Sequence, residues 1–181
     1  MIHPINEFVV KVASRCNLNC DYCYEYNTGD NSWKMMPKYF STKTAEKLIA
    51  RIKDHAQNHN LEEVILSFHG GEPLLLGPKR LSELSKIFRS IENDKLEVSL
   101  TMQTNGTLLN DDFINVIKEM EIYVAISIDG PKNVNDVHRV DHKGETTYES
   151  TFIGLELIKQ KAPDFITGIL SVIDVSSDPL E

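Results

Sequence analysis

Cysteine is absent from all of this 181-residue chain except one stretch of eight residues. Three occur there. An odd count with no signal-peptide pattern ahead of it excludes a disulfide framework of the secreted kind and points to a cytoplasmic chain. Cationic residues are also scarce: 19 Lys and Arg stand against 27 Asp and Glu, for a net charge of -8. A surface of that sign repels phosphate backbones, so nucleic acid is not an expected partner. Long apolar runs are lacking too. None reaches the roughly 20 residues that a helix needs to cross a bilayer, so no membrane association is expected. There is no repeat and no low-complexity tract. What remains is ordinary globular usage, 41% hydrophobic and 25% charged, with enough chain for one domain and its core.

The apolar positions alternate between two periods. Glu7–Ala13 reads as a strand. Thr42–His59 reads as a helix, with Ala45, Leu48, Ile49, Ile52 and Ala56 at helical spacing and Ser41 as its N-cap. Strands follow at Glu63–Phe68, Leu96–Gln103, Ile122–Ile128 and Phe165–Ile173. Helices lie between them at Pro78–Ile91, Asp111–Met120 and Tyr148–Lys161. Five strands alternating with four helices predict an α/β fold with a parallel sheet and right-handed crossovers. In such a fold the functional residues gather on the loops at the C-terminal ends of the strands.

Each chemically distinctive segment falls at such an end. After the first strand comes Cys16-Asn17-Leu18-Asn19-Cys20-Asp21-Tyr22-Cys23. Three thiolates on one short loop can hold three irons of a [4Fe-4S] cube and leave the fourth open. Buried inert thiols are the plain alternative, but this stretch is polar. Zinc is the rival metal and requires a fourth ligand, for which His69 is the candidate. After the second strand comes His69-Gly70-Gly71-Glu72-Pro73. Its glycines permit close backbone approach, and the Glu72 carboxylate can accept charge-assisted hydrogen bonds. Gln103-Thr104-Asn105-Gly106 follows the third strand, with Asn105 open to reading as a simple turn residue. Ser127-Ile128-Asp129-Gly130-Pro131 closes the fourth.

With these segments the chain resembles the radical S-adenosylmethionine (SAM) enzymes over nearly its whole length. The resemblance implies a partial (β/α)6 TIM-like barrel, here truncated after about the fifth strand. It implies a [4Fe-4S] cluster on Cys16, Cys20 and Cys23, with SAM chelating the fourth iron. It implies that Tyr22 lies near the adenine and that Gly70, Gly71 and Glu72 bind SAM, Glu72 through the ammonium. Ser127 and Arg139 match two further SAM-binding positions, the arginine pairing the carboxylate. Gln103 and Asn105 face the cavity in that fold; His69 and His138 take no assigned role. The implied chemistry is reductive cleavage of SAM to methionine and a 5′-deoxyadenosyl radical, which takes hydrogen from a substrate carbon.

A narrower resemblance rests on Cys20–Pro37 (CDYCYEYNTGDNSWKMMP) and on FHGGEPLLLG. These look like the SPASM-type maturases of ribosomally made peptides, closest to the cyclophane-forming branch. The QTNGTLL and SIDGP segments link the chain to anaerobic sulfatase maturases as near relatives. The expected partners are a peptide substrate and an electron donor such as ferredoxin or flavodoxin. The expected product is a side-chain crosslink, with formylglycine as the alternative. A non-catalytic metal- or peptide-binding module is the reading from another class. The chain departs from the maturases in having no cysteine after Cys23 and no sixth strand. Residues 1–181 therefore read as an incomplete radical SAM core lacking a SPASM domain, with the last strand's edge expected to promote self-association.

Overall fold

The computed structural model describes residues 4–178. Five parallel strands form one sheet in the order β1-β2-β3-β4-β5. They are β1 (Glu7–Ala13), β2 (Glu63–Gly70), β3 (Glu97–Thr104), β4 (Ile122–Ser127) and β5 (Ile166–Leu170). The connections carry α1 (Thr42–His59), α2 (Pro78–Arg89), α3 (Asp111–Glu119), α4 (Lys132–His138) and α5 (Tyr148–Lys161). Sequential order with helical crossovers of one hand stacks the long helices on one face of the sheet.

Local signals set the helix ends. The Ser41 hydroxyl accepts from the Thr44 N–H at 3.1 Å and starts α1. Asn60, in the left-handed region at φ 50°, ends it. The Asn110 side chain caps α3 by accepting from the Phe113 N–H at 3.1 Å. The core lies between the helices and the alternate strand residues that face them: Val64, Leu66 and Phe68 of β2, Leu100 and Met102 of β3, Ile122, Val124 and Ile126 of β4. Ala45, Ile49, Ile52 and Ala56 of α1 pack into the same core, as their spacing predicts. No helix among the described residues is long and apolar enough to cross a membrane.

Two elements differ from the sequence expectation. One helix beyond the four expected, α4, carries no apolar stripe; its single buried residue is Asn135, so it has no helical period to detect. The last strand is shorter than Phe165–Ile173. Phe165 belongs to a 3-10 turn, and every residue of β5 after Ile166 is exposed.

Candidate active site at the strand ends

The three cysteines lie on the loop leaving β1, half-buried and free of disulfides. Neighbouring loops hold this one in shape. Arg15 donates to the carbonyls of Ser14 (2.9 Å) and Trp33 (2.6 Å), its guanidinium lying 4.9 Å from the Trp33 ring centre. His142 Nε2 bonds the Cys16 carbonyl at 2.9 Å, and the Asn19 N–H donates to the Val140 carbonyl at 2.7 Å. The Cys23 N–H closes a turn on the Cys20 carbonyl at 3.0 Å.

The glycines after β2 admit the chain's own backbone. The Gly71 N–H donates to the Ala13 carbonyl and the Glu72 N–H to the Arg15 carbonyl, both at 2.9 Å. A Cβ on Gly70 would collide with the Ala13 carbonyl oxygen; one on Gly71 would collide with the Arg15 carbonyl and the Tyr26 hydroxyl. Only glycine lets the start of the cysteine loop lie against this strand end.

Glu72 is 1% exposed. Its Oε1 accepts from the Leu74 N–H (2.9 Å) and the Thr104 hydroxyl (2.6 Å), and its Oε2 from the Asn105 N–H (2.8 Å). It thus ties the end of β2 to the end of β3. Burial pushes its carboxyl up, against the three hydrogen bonds that pull it down. Asn105 also reaches the cysteines. Its Nδ2 donates to Asn17 Oδ1 at 3.0 Å and lies 3.8 Å from Cys16 Sγ. Its Oδ1 accepts from the Thr107 N–H at 3.0 Å, so the residue is a turn former and a loop anchor at once.

Burial pushes the Cys16 thiol up to about 12, with the Leu18 N–H opposing and Glu72 and the other two cysteines adding to the rise. Cys20 is raised by burial too, with Arg139 opposing. Burial thus favours the protonated thiols of Cys16 and Cys20. A bound iron takes them as thiolates and displaces those protons.

On the other side of the loop, the Tyr22 hydroxyl donates a short hydrogen bond to Asp129 Oδ2 and accepts from Arg139 Nη1 at 3.0 Å. Asp129 Oδ1 lies 3.7 Å from the same guanidinium and accepts from the Val172 N–H at 3.1 Å. Burial, and then the Asp129 bond, raise the Tyr22 phenol and keep its proton in place. Arg139 is 6% exposed, and its Nε is buried with no partner among the described residues. Next to it, His138 bridges Asp21 (Nδ1 to Oδ2, 2.9 Å) and Asp174 (Nε2 to Oδ2, 3.2 Å).

The residues marked in the sequence thus meet at one end of the sheet. Ser127 accepts from Gln103 Nε2 at 2.8 Å on the face away from the helices. His69 stands on that face beside Lys11, with Nδ1 buried and without a partner among the described residues; burial lowers its pKa. Its charged neighbours are Glu25 and Lys11 rather than the thiols. No group of three or more His, Cys, Asp or Glu among the described residues is placed to hold a single metal ion. Three thiols on one loop without a fourth protein ligand are the donor set for a cube with one open iron.

A family model described as the radical SAM superfamily matches residues 10–178. The chain belongs to the radical SAM superfamily. Membership carries its cofactor pair, a [4Fe-4S] cluster and SAM, and the five parallel strands are part of the family's partial barrel. Among curated proteins, the cysteine-type anaerobic sulfatase-maturating enzyme of Clostridium perfringens is 28% identical over 170 residues, covering 94% of this chain and 44% of that protein. The serine-type enzyme of Bacteroides thetaiotaomicron is 33% identical over 164 residues, covering 87% and 37%. The solved structure of native anSMEcpe with bound AdoMet and Cp18Cys peptide superposes with a TM-score of 0.75 at 27% identity, over 92% of this chain and 43% of that one. The chain spans less than half the length of these relatives.

Sequence reading left Asp129 without a role, although it sits in the SIDGP segment. Its importance is a contact with Tyr22 from 107 positions away, and nothing local announces such a contact.

Proposed function

We propose that this radical SAM chain binds SAM and generates the radical for an enzyme that modifies a peptide. The observation that carries the reading is Arg139, a buried guanidinium whose Nε is unpartnered beside the three-thiol loop. A guanidinium that already engages Tyr22 through Nη1 has Nε to offer to a carboxylate, and an unpaired buried donor favours whatever ligand satisfies it.

In this reading Cys16, Cys20 and Cys23 hold the cluster. Arg139 takes the SAM carboxylate. Glu72 Oε2 accepts one protein bond and has acceptor capacity for the ammonium. Ser127 accepts from Gln103, so its own proton is free to donate. Tyr22, fixed by Asp129, shapes the adenine side. Gly70 and Gly71 hold the cysteine loop against the ends of β1 and β2. When bound, the reduced cluster supplies the electron that cleaves SAM into methionine and a 5′-deoxyadenosyl radical. The chain's part is to orient the cofactors and exclude water. The face carrying Gln103 and Ser127 would lie toward the substrate. The substrate in this reading is a ribosomally made peptide, modified in a cytoplasmic setting with ferredoxin or flavodoxin as electron donor.

The Cys20–Pro37 run supports crosslinking of an aromatic ring to a nearby side-chain carbon. The sulfatase-maturating relatives support a second reading, oxidation of a cysteine or serine to formylglycine. The test is anaerobic reconstitution followed by reduction and measurement of 5′-deoxyadenosine. Arg139→Ala is expected to weaken SAM binding about tenfold, the loss of one charge-assisted bond, while iron content stays unchanged. Unchanged SAM affinity would remove Arg139 from the site. A hydrazine trap on the peptide product separates formylglycine, which has an aldehyde, from a crosslink, which has none.

A further inference from the structure

β1 is an outer strand and hydrogen-bonds along one side, to β2. Among the described residues, its other edge is covered near the cysteine loop only. There the Phe40 N–H donates to the Val12 carbonyl at 2.8 Å, the Ser14 N–H donates to the Lys38 carbonyl at 3.1 Å, and Tyr39 pairs antiparallel with Ala13. Past Phe40 the chain turns away into α1. The stretch Glu7–Lys11 stays open. Because the Ile65 N–H donates to the Asn6 carbonyl at 2.8 Å, residues 6 and 8 aim their backbone groups at β2. Those of Glu7, Val9 and Lys11 therefore point out of the sheet. They have no backbone partner among the described residues.

Beside this edge lies a hollow of about 830 Å³ between β1 and α1, walled by Phe8, Val9, Phe40 and Leu48. Val9 is 59% exposed there. Lys11 is paired with Glu25, which leaves Lys47 and Arg51 against Glu7 around the hollow. That is a local cationic excess on a chain of net charge -8. A second hollow of about 510 Å³ shares Lys11, Phe40 and Thr44 with the first and extends to Ser14 and Tyr26, beside the cysteine loop.

We propose that the free edge of β1 binds an extended acidic segment of the peptide substrate as an added strand; this deepens the peptide-modifying function proposed above and rests on it. The strand runs antiparallel to β1 and takes up the ladder where Phe40 leaves it. Glu7, Val9 and Lys11 supply main-chain hydrogen bonds that set the register. Alternate apolar side chains of the peptide enter the hollow, and its carboxylates meet Lys47 and Arg51. Peptide residues preceding the anchored segment are then carried past Ser14 and Tyr26 toward the cysteines. The anchor is separate from the residues that hold the cofactors, so one chemistry could serve peptides that differ at the modified position.

The probe is a fluorescently labelled eight-residue peptide alternating glutamate and valine, titrated against the protein and followed by anisotropy. It should bind, and the same peptide with lysine for glutamate should not. Val9→Pro removes an outward N–H without breaking the ladder to β2, a change that edge strands tolerate. It should weaken binding about tenfold. Lys47→Glu with Arg51→Glu, on the exposed surface of α1, should weaken it to a similar degree and tests the site without touching the strand. No binding by the unaltered protein would overturn the proposal. So would binding indifferent to Val9→Pro, or light scattering that shows a dimer dissociated by Val9→Pro, which would make a second copy the occupant. The assay uses neither cluster nor SAM. Its failure leaves the radical chemistry untouched, and a failure to cleave SAM leaves peptide binding to be judged by itself.

Discussion

Turned over, the same strands present a different surface. Toward the helices β2 shows Val64, Leu66 and Phe68, all fully buried. Toward the open side it shows Ile65, Ser67 and His69. On β3, Val98, Leu100 and Met102 oppose Ser99, Thr101 and Gln103; on β4, Ile122, Val124 and Ile126 oppose Tyr123, Ala125 and Ser127. Parallel strands are usually apolar on both faces because both are covered. Here one face is built for burial, and the other keeps hydroxyls, an amide and an imidazole accessible. Stability and chemistry are thus assigned to alternate residues of the same strands.

The comparison breaks if the two faces respond alike to truncation. Phe68→Ala removes a fully buried ring whose centre lies 5.2 Å from that of Phe88 and should cost about 3–5 kcal/mol of stability. Thr101→Ala, on the open side of the neighbouring strand, should stay within about 0.5 kcal/mol. Urea denaturation of the two variants reads the difference. Equal losses would mean that the open face is covered in solution.

A smaller effect is expected where the two surfaces meet, at the strand tips. Gly71→Ala would drive its methyl group into the Arg15 carbonyl and the Tyr26 hydroxyl, so the cysteine loop must shift. The stability cost should be about 1–3 kcal/mol, as for other overpacked sites. Iron and sulfide retained after anaerobic reconstitution should fall with it. Gly29→Ala is the control. At φ +99° it carries backbone strain, but its Cβ meets nothing within 4 Å, and it should leave the iron content unchanged. Full cluster occupancy in Gly71→Ala would show that the close approach does not shape the cluster loop.

This division between faces and tips also explains what could be read beforehand. Period-two apolar strands and the apolar stripe of α1 are local signals, and β1, α1 and α5 fall on the expected residues. α4 escaped because Pro131 starts it and only Asn135 is buried, so it has no apolar period. The cysteines and Glu72 are legible as residue types at strand ends, and Ser127 and Arg139 through the resemblance alone. Their partners are not. Glu72 is expected to face a ligand, and two of its protein contacts, from Thr104 and Asn105, also lock β2 to β3, while Gly70 and Gly71 make room for backbone. Those jobs depend on which loops cross, and crossing is decided by the tertiary fold.

The smallest expected effect concerns the clamp that ties the cysteine loop to the segment after β5. The Asp21 bond, then the Asp174 bond, raise the pKa of His138 above its ordinary 6.5. A raised folded-state pKa means that the protonated form is the one the fold favours. The contribution is therefore fully present below pH 6.5 and fades as pH rises through the higher folded value. At the acid end the order reverses. Hydrogen bonds from Ser176, then His138, hold Asp174 down at about 2, against an ordinary 3.8, so its contribution fades only as pH falls through that interval. The clamp is partly open to solvent, and screening keeps the effect modest. Thermal melting of the ligand-free protein from about pH 6 to pH 8 should show a decline in Tm that His138→Gln abolishes. A profile unchanged by that substitution would mean that the loop is held by Tyr22, Asp129 and Arg139 without help from the clamp, and that the cluster loop has one anchor on that side.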